Sequence, residues 1–302
     1  MSLLEVSEVR AGYGRIPVLF GIDLTVEEGE VVALLGANGA GKTTTLRLIS
    51  GLLHPTSGTV TFDGRRVDRL AAEKVTRQGL VHIPEGRGLF PSLTVEETLR
   101  LAASGQPRSE VSTSLERVFT LFPRLRERLR QAVGTLSGGE RQMLAVSRAL
   151  LSKPRLVMID ELSQGLAPTV CDEMFTVLAQ LPAEGMALLV VEQFVGRALE
   201  LANRAYVLEK GRVTYAGSAA DLAADEDFMA ASYLGTVDEE ILGEPVAEMP
   251  AEPVPALDPE RVPLVAELPG TLRQALAELA AERQMEPEEL MAKLLVEEAR
   301  KP

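Results

Sequence analysis

The apolar run Val31–Leu35 ends in Gly36-Ala37-Asn38-Gly39-Ala40-Gly41-Lys42-Thr43-Thr44. No other stretch constrains the fold so strongly. The spacing GxxxxGK[ST] between a strand and a helix is the phosphate-loop pattern. Its glycines let backbone N–H groups converge on phosphate oxygens, and the helix opening at Lys42 aims the positive end of its dipole at them. Such a loop needs a buried strand before it and a packed helix after it, so the chain is expected to be α/β. All nine residues, Gly36 to Thr44, are expected to contact a nucleotide. Lys42 would reach the β- and γ-phosphates, and Thr43 would ligate Mg²⁺.

A second apolar run, residues 156–159, ends in Asp160-Glu161. Adjacent acids at a strand end are ordinarily just solvated. Beside a phosphate loop they suit a divalent cation and a general base. Asp160 is expected to bind the metal, directly or through water, and Glu161 to polarise the attacking water. Between the two motifs lies Leu136-Ser137-Gly138-Gly139-Glu140, followed by the helical run MLAVSRALL. A serine hydroxyl and two glycine amides at a helix start form a second anion site. One chain needs only one site for a terminal phosphate. The second set is therefore expected to serve another chain's nucleotide, in a head-to-tail sandwich.

The rest of the pattern supports this frame. Strands are expected at Val31–Leu35, Leu80–Ile83, 156–159, Ala187–Val191 and 204–208. Helices are expected after Gly41, Thr94, Gly138, Pro168 and Phe194. Thr94-Val95-Glu96-Glu97 has the spacing of a capping box, and the first thirty residues read as an antiparallel β layer. No window of the 302 residues reaches the roughly 18 apolar residues of a membrane span, and no signal peptide is expected at the N-terminus. One cysteine and two histidines leave no framework for disulfides or for a cysteine or histidine metal cluster.

The net charge of −13 is unevenly spread. From Thr236 onward 16 acids face 6 bases, a net of −10, which leaves 28 acids and 25 bases, a net of −3, before it. Nine of the 18 prolines also lie there. Three regions are expected: a folded domain over 1–235, an acidic proline-rich linker over 236–263, and a helical appendage over 264–302. Within the appendage Leu272, Leu276 and Leu279 share one stripe and Leu290, Leu294 and Leu295 another, with Pro287 suited to a first helical turn. Preceded by a possible strand at 261–268, this faintly resembles a ribbon-helix-helix unit. Its acidity argues against reading DNA, and no nucleic-acid partner is expected. A passive helical hairpin is the preferred reading, with a dimerisation or docking module as the alternative.

Phosphate loop, LSGGE and strand-Asp-Glu, in this order, resemble the ATP-binding subunit of ABC transporters over residues 3–235. The segments Ile83-Pro84-Glu85-Gly86-Arg87, Gly165-Leu166-Ala167-Pro168, Val191-Glu192-Gln193 and Ser232-Tyr233-Leu234-Gly235 sharpen the likeness to the LivF-type ATPases of branched-chain amino acid importers. The resemblance implies a P-loop NTPase with a mainly parallel sheet core, an antiparallel β layer and a helical subdomain. It implies that Tyr13 stacks on adenine and that Glu85 stands where most relatives have a Gln near Mg²⁺ and the attacking water. The segment after Glu85, through Pro91, would contact membrane subunits. Ser163, Gln164 and Gly165 would form a loop communicating across the dimer. Leu162 and Gln164 depart from the usual Pro and Leu, which leaves that loop's stiffness in question. Gln193 replaces the usual switch His; its amide can donate to phosphate but cannot titrate.

The expectation is an ATPase, with ATP and Mg²⁺, bound peripherally to the cytoplasmic face of a membrane and driving amino acid uptake. It implies a second ATPase subunit, different or identical, two permease subunits and, indirectly, an extracytoplasmic solute-binding protein. The alternatives are a related importer for urea, short amides or other small solutes, and an ABC ATPase outside transport.

Overall fold

The computed structural model describes residues 2–85, 88–192, 194–230 and 270–299. They fall into two compact units. The described residues up to 85 and from 153 to 230 form the first, and residues 88–152 and 270–299 the second.

The first unit opens with β1 (Ser2–Tyr13) and β2 (Ile16–Glu27), whose alternating buried residues mark a half-covered antiparallel pair. Then come β3 (Val31–Leu35), α1 (Lys42–Ile49), β4 (Ser57–Phe62), β5 (Arg65–Arg66), α2 (Ala72–Arg77) and β6 (Leu80–Ile83). After the chain returns, β7 (Leu156–Asp160), α7 (Pro168–Leu178), β8 (Ala187–Val191), α8 (Val195–Leu201), β9 (Arg204–Glu209), β10 (Arg212–Ser218) and α9 (Ala219–Ala223) complete it.

The strands make a four-stranded antiparallel sheet, β2-β1-β4-β5, and a six-stranded sheet, β10-β9-β3-β8-β7-β6. In the larger sheet β6 to β9 and β3 run parallel and only β10 is antiparallel. Every residue of β3, β7 and β8 is buried, as strands covered on both faces require. Val32 and Leu34 pack with the smaller sheet and with Leu46 and Ile49 of α1, while Ala33 and Leu35 face Ala198, Leu199 and Leu222. Each such Leu or Val contributes roughly 1.5–3 kcal/mol. The carboxyl end of β3, where the phosphate loop leaves, is thus anchored from both sides.

The second unit is helical. It contains α3 (Val95–Ala103), α4 (Arg108–Leu121), α5 (Pro123–Glu127), α6 (Gly138–Leu151), α10 (Gly270–Glu282) and α11 (Pro287–Ala299). The capping box expected at Thr94 is present: Thr94 Oγ1 accepts the Glu97 N–H, and Glu97 accepts the Thr94 N–H. Ser137 and Glu140 form a second one, so α6 starts at Gly138 rather than after it. The helices α10 and α11 make the expected hairpin, with Pro287 at the start of α11. Leu276, Leu279, Leu290 and Leu294 of the two stripes close on Leu93, with Phe90 and Leu101 packed against the cluster. Arg283 donates to both Glu97 and the Ser92 carbonyl. The strand expected at 261–268, the linker over 236–263, and the side chains of Leu272 and Leu295 lie outside the described residues. No helix among the described residues is long and apolar enough to cross a membrane.

Candidate active site

The phosphate loop hangs between two adjacent strands and a helix. Gly36 follows β3 at φ 145°, and a Cβ there would lie 2.2 Å from the Leu208 carbonyl oxygen of β9, so only glycine fits. Gly41, at φ 110°, precedes α1 and offers no side chain to cap it. The first turn of α1 therefore presents its N–H groups to an anion rather than to its own cap. Two backbone bonds hold the loop: Ala40 N–H to the Ala37 carbonyl, and Gly211 N–H to the Ala40 carbonyl. Lys42 is only 7% exposed, and its Nζ donates to the Gly36 and Ala37 carbonyls at 2.8 and 3.1 Å. The ammonium is thus held over the mouth of the loop.

Adjacent strand ends bring three acids to this loop. Asp160 terminates β7 with 2% exposure, and neither carboxylate oxygen has a hydrogen-bond partner. Burial pushes its carboxyl above the usual range; Thr43 and Lys42 oppose this, and the Glu85 charge adds to it. Two buried carboxylate oxygens without partners, beside a threonine, are a hard oxygen donor set that fits a divalent cation. No group of three His, Cys, Asp or Glu side chains able to hold a metal occurs among the described residues. Other ligands would therefore come from Thr43, phosphate oxygens and water, as Mg²⁺ prefers.

Glu161 follows at φ 51°, a left-handed conformation uncommon for a non-glycine residue. Its N–H donates to the Val191 carbonyl at 3.0 Å, one strand over. Burial raises its pKa, and Glu85 and Asp160 raise it further against the pull of Lys42. A carboxylate raised in this way accepts a proton more readily, which suits a general base. Glu85 itself is exposed, just beyond the end of β6, the neighbour of β7. His82, on β6, stays neutral: burial lowers it to about 4, and its buried Nε2 has no partner.

Tyr13 lies at the end of β1, 40% exposed, with its hydroxyl accepting from Arg47 Nη1 of α1 at 3.2 Å. Tyr13, the phosphate loop, Glu85, Asp160 and Glu161 all belong to the first unit. Ser137, Gly138, Gly139 and Glu140 belong to the second, at the start of the 14-residue helix α6. There the Ser137 N–H donates to Glu140 at 2.8 Å and holds its pKa down, and Arg128 donates to the same carboxylate at 3.2 Å. Gln193 lies outside the described residues.

Sequence reasoning passed over Glu192. It follows β8 with 1% exposure and accepts from both the backbone and the hydroxyl of Ser163. The signal was available: like Asp160, Glu192 is an acid placed directly after an unbroken apolar strand.

A family model for the ABC transporter matches residues 19–164. A high-affinity branched-chain amino acid transport ATP-binding protein, BraG, of Pseudomonas aeruginosa is 43% identical over 70% of this chain and 91% of its own length. A probable branched-chain amino acid transport ATP-binding protein, LivF, of Archaeoglobus fulgidus is 37% identical over 75% of this chain and 96% of its own. Among solved structures, an ATP-binding subunit of an ABC transporter superposes with a TM-score of 0.69 at 31% identity, covering 78% of this chain and all of that one.

Proposed function

The chain belongs to the ATP-binding subunits of ABC transporters, which bind and hydrolyse ATP and work as dimers with membrane permeases; on that premise we propose that it powers import of branched-chain or related amino acids from the cytoplasmic face. The solute rests on the similarity to BraG and LivF, because none of the site residues described here would touch it. The chemistry rests on one observation: the partnerless Asp160 carboxylate and the raised Glu161 carboxylate stand together at the end of β7, beside Thr43 and Lys42.

In this reading the backbone of Gly36 to Thr44 cradles the phosphates and Tyr13 stacks on adenine. Lys42 turns from the loop carbonyls to the β- and γ-phosphates. Thr43, Asp160 and Glu85 would hold Mg²⁺, which would neutralise charge on the phosphate oxygens. Glu161 orients a water and takes its proton as the water oxygen attacks the γ-phosphorus and the bond to the β-phosphate oxygen breaks. Gln193 donates its amide to the γ-phosphate. Ser137, Gly138 and Gly139, with Glu140 fixing the cap, meet the nucleotide of a second ATPase subunit, most simply a different one as in LivF-type pairs. An extracytoplasmic binding protein delivers the solute to two permeases.

The test is reconstitution with permeases and a binding protein of the branched-chain amino acid type, followed by ATP hydrolysis under each solute. Stimulation by leucine, isoleucine or valine supports the reading. Stimulation by urea or short amides alone would reassign the solute, and hydrolysis indifferent to any permease would remove transport.

A further inference from the structure

The parallel strands β7 and β8 pair in register up to Asp160 and Val191. Beyond that rung two chains would ordinarily diverge. Here they are stitched together for three more residues. The Glu161 N–H donates to the Val191 carbonyl at 3.0 Å. The Ser163 N–H then donates to Glu192 Oε1 at 3.2 Å, and the Ser163 hydroxyl to Oε2 at 2.5 Å. Both partners are inside the protein, Glu192 at 1% and Ser163 at 4% exposure. The Ser163 carbonyl is engaged as well, accepting from the Leu166 N–H and, weakly, from Cys171 Sγ.

A buried carboxylate is costly unless hydrogen-bonded, and bonds to an ionised acceptor are among the stronger ones. This one is therefore placed where it holds something that would otherwise move. What it holds is the loop that follows Glu161. That residue keeps its left-handed conformation between two anchors, its own N–H on Val191 and Ser163 on Glu192. Backbone strain of this kind persists only where the surroundings over-determine it.

We propose that Glu192 is a positioning residue, whose clamp on Ser163 fixes the loop after β7 and with it the Glu161 carboxylate, so that the water-directing group is held in place for the chemical step. The inference rests on the reading of Glu161 as general base. It commits one side chain, acting through Ser163, to the rate of the chemical step. Misplacing a reacting group by about 1 Å can cost on the order of a hundredfold in rate.

The test is steady-state ATP hydrolysis by the full chain assembled with its permeases, together with amide hydrogen exchange of residues 161–166 on the isolated full chain. In Glu192→Ala we expect kcat to fall about tenfold or more, KM for ATP to change less than about twofold, and exchange across 161–166 to accelerate. Glu192→Gln should recover most of the rate. Its Oε1 can accept the Ser163 N–H while its Nε2 donates to the Ser163 hydroxyl oxygen. Ser163→Ala should lower kcat alone and add nothing on top of Glu192→Ala, the non-additivity of residues sharing one interaction.

A merely structural carboxylate predicts something else: lowered thermal stability with kcat unchanged, or kcat and KM degraded together without rescue by Gln. Either overturns the proposal, as does unchanged exchange over 161–166. Glu161→Gln is the control. If it still hydrolyses ATP at the full rate, the reading of the base itself fails. If it is inactive while Glu192→Ala is fully active, only the positioning role fails.

Discussion

Asp160 in the first unit and Glu97 in the second are both largely buried carboxylates, yet their surroundings are opposite. Both Asp160 oxygens lack a partner, and the nearest charges include two further acids. Glu97 accepts from the Thr94 N–H, the Thr94 hydroxyl and the Arg283 guanidinium. Burial pushes the Glu97 carboxyl up, but Arg283 and Thr94 together hold it below the ordinary carboxylate value. The difference separates two uses of a buried charge. A satisfied one secures a fold; one left unsatisfied is kept for something that arrives later.

The largest effects fall on the apolar contact that the Glu97 network borders. Leu279→Ala, at a position 4% exposed within the Leu93 cluster, should cost the hairpin about 2–4 kcal/mol. Hydrogen exchange of α10 and α11 should accelerate, while β3 and β7 stay protected. Equal acceleration in both units would show that their stabilities are not separate.

Neutralising the two carboxylates should then give opposite signs. Glu97→Gln keeps a residue able to complete the capping box but weakens the grip on Arg283, at about 1–2 kcal/mol of hairpin stability. Asp160→Asn removes a charge whose burial outweighs the pull of Thr43, Lys42 and Arg47 and should raise the metal-free melting temperature, by about 1 kcal/mol in stability, while abolishing the extra stabilisation that Mg²⁺ adds to bound ATP. Destabilisation by Asp160→Asn without nucleotide would break the contrast.

The pH dependence should divide in the same way. Glu97 is lowered from 4.5, so its contribution is fully present above that ordinary value and is lost as pH falls through its folded value. Asp160 and Glu161 are raised, so they weaken the first unit above their folded values, and that penalty is relieved as pH falls toward 3.8 and 4.5. Mild acid should spare or tighten the loops around Asp160, and stronger acid should loosen α10 and α11 first, as read by exchange at a series of pH values. The smallest effect belongs to the exposed pair Arg108–Glu278, 3.2 Å apart at the edge of the hairpin. Arg108→Ala should change stability by less than about 0.5 kcal/mol, and high salt should erase even that.

The contrast also marks how far the sequence could be read. The phosphate loop and Asp160-Glu161 are contiguous, and their chemistry is written in neighbouring residues. The runs Val31–Leu35, Leu80–Ile83 and Ala187–Val191 are strands over the expected residues; the first and last are unbroken apolar runs, as strands covered on both faces require, while Leu80–Ile83, interrupted by His82, is the half-buried edge strand. The start of α6 moved by one residue because a capping serine stands outside the helix it caps. Strand β4 was missed: Ser57, Thr59 and Thr61 alternate with Gly58, Val60 and Phe62, but only two large apolar residues mark its inner face, and its pairing with β1 completes the strand. The hairpin's leucine stripes were legible as two apolar faces, but a stripe does not say what it covers. Arg283 and Glu97 lie 186 residues apart, and nothing in the local pattern of either names the other. Glu192 was hidden for a similar reason: its partner Ser163 is 29 residues away on the neighbouring strand's loop.

The central claim is that the first unit keeps Asp160 unsatisfied beside Glu161 in order to act on a nucleotide, with Glu161 as the base. The most direct measurement is phosphate release by Glu161→Gln at saturating ATP and Mg²⁺, with ATP affinity determined on the same protein. We expect release to fall by about a hundredfold or more while affinity is held or improved. Release at the rate of the unaltered chain, with ATP bound normally, would contradict the account.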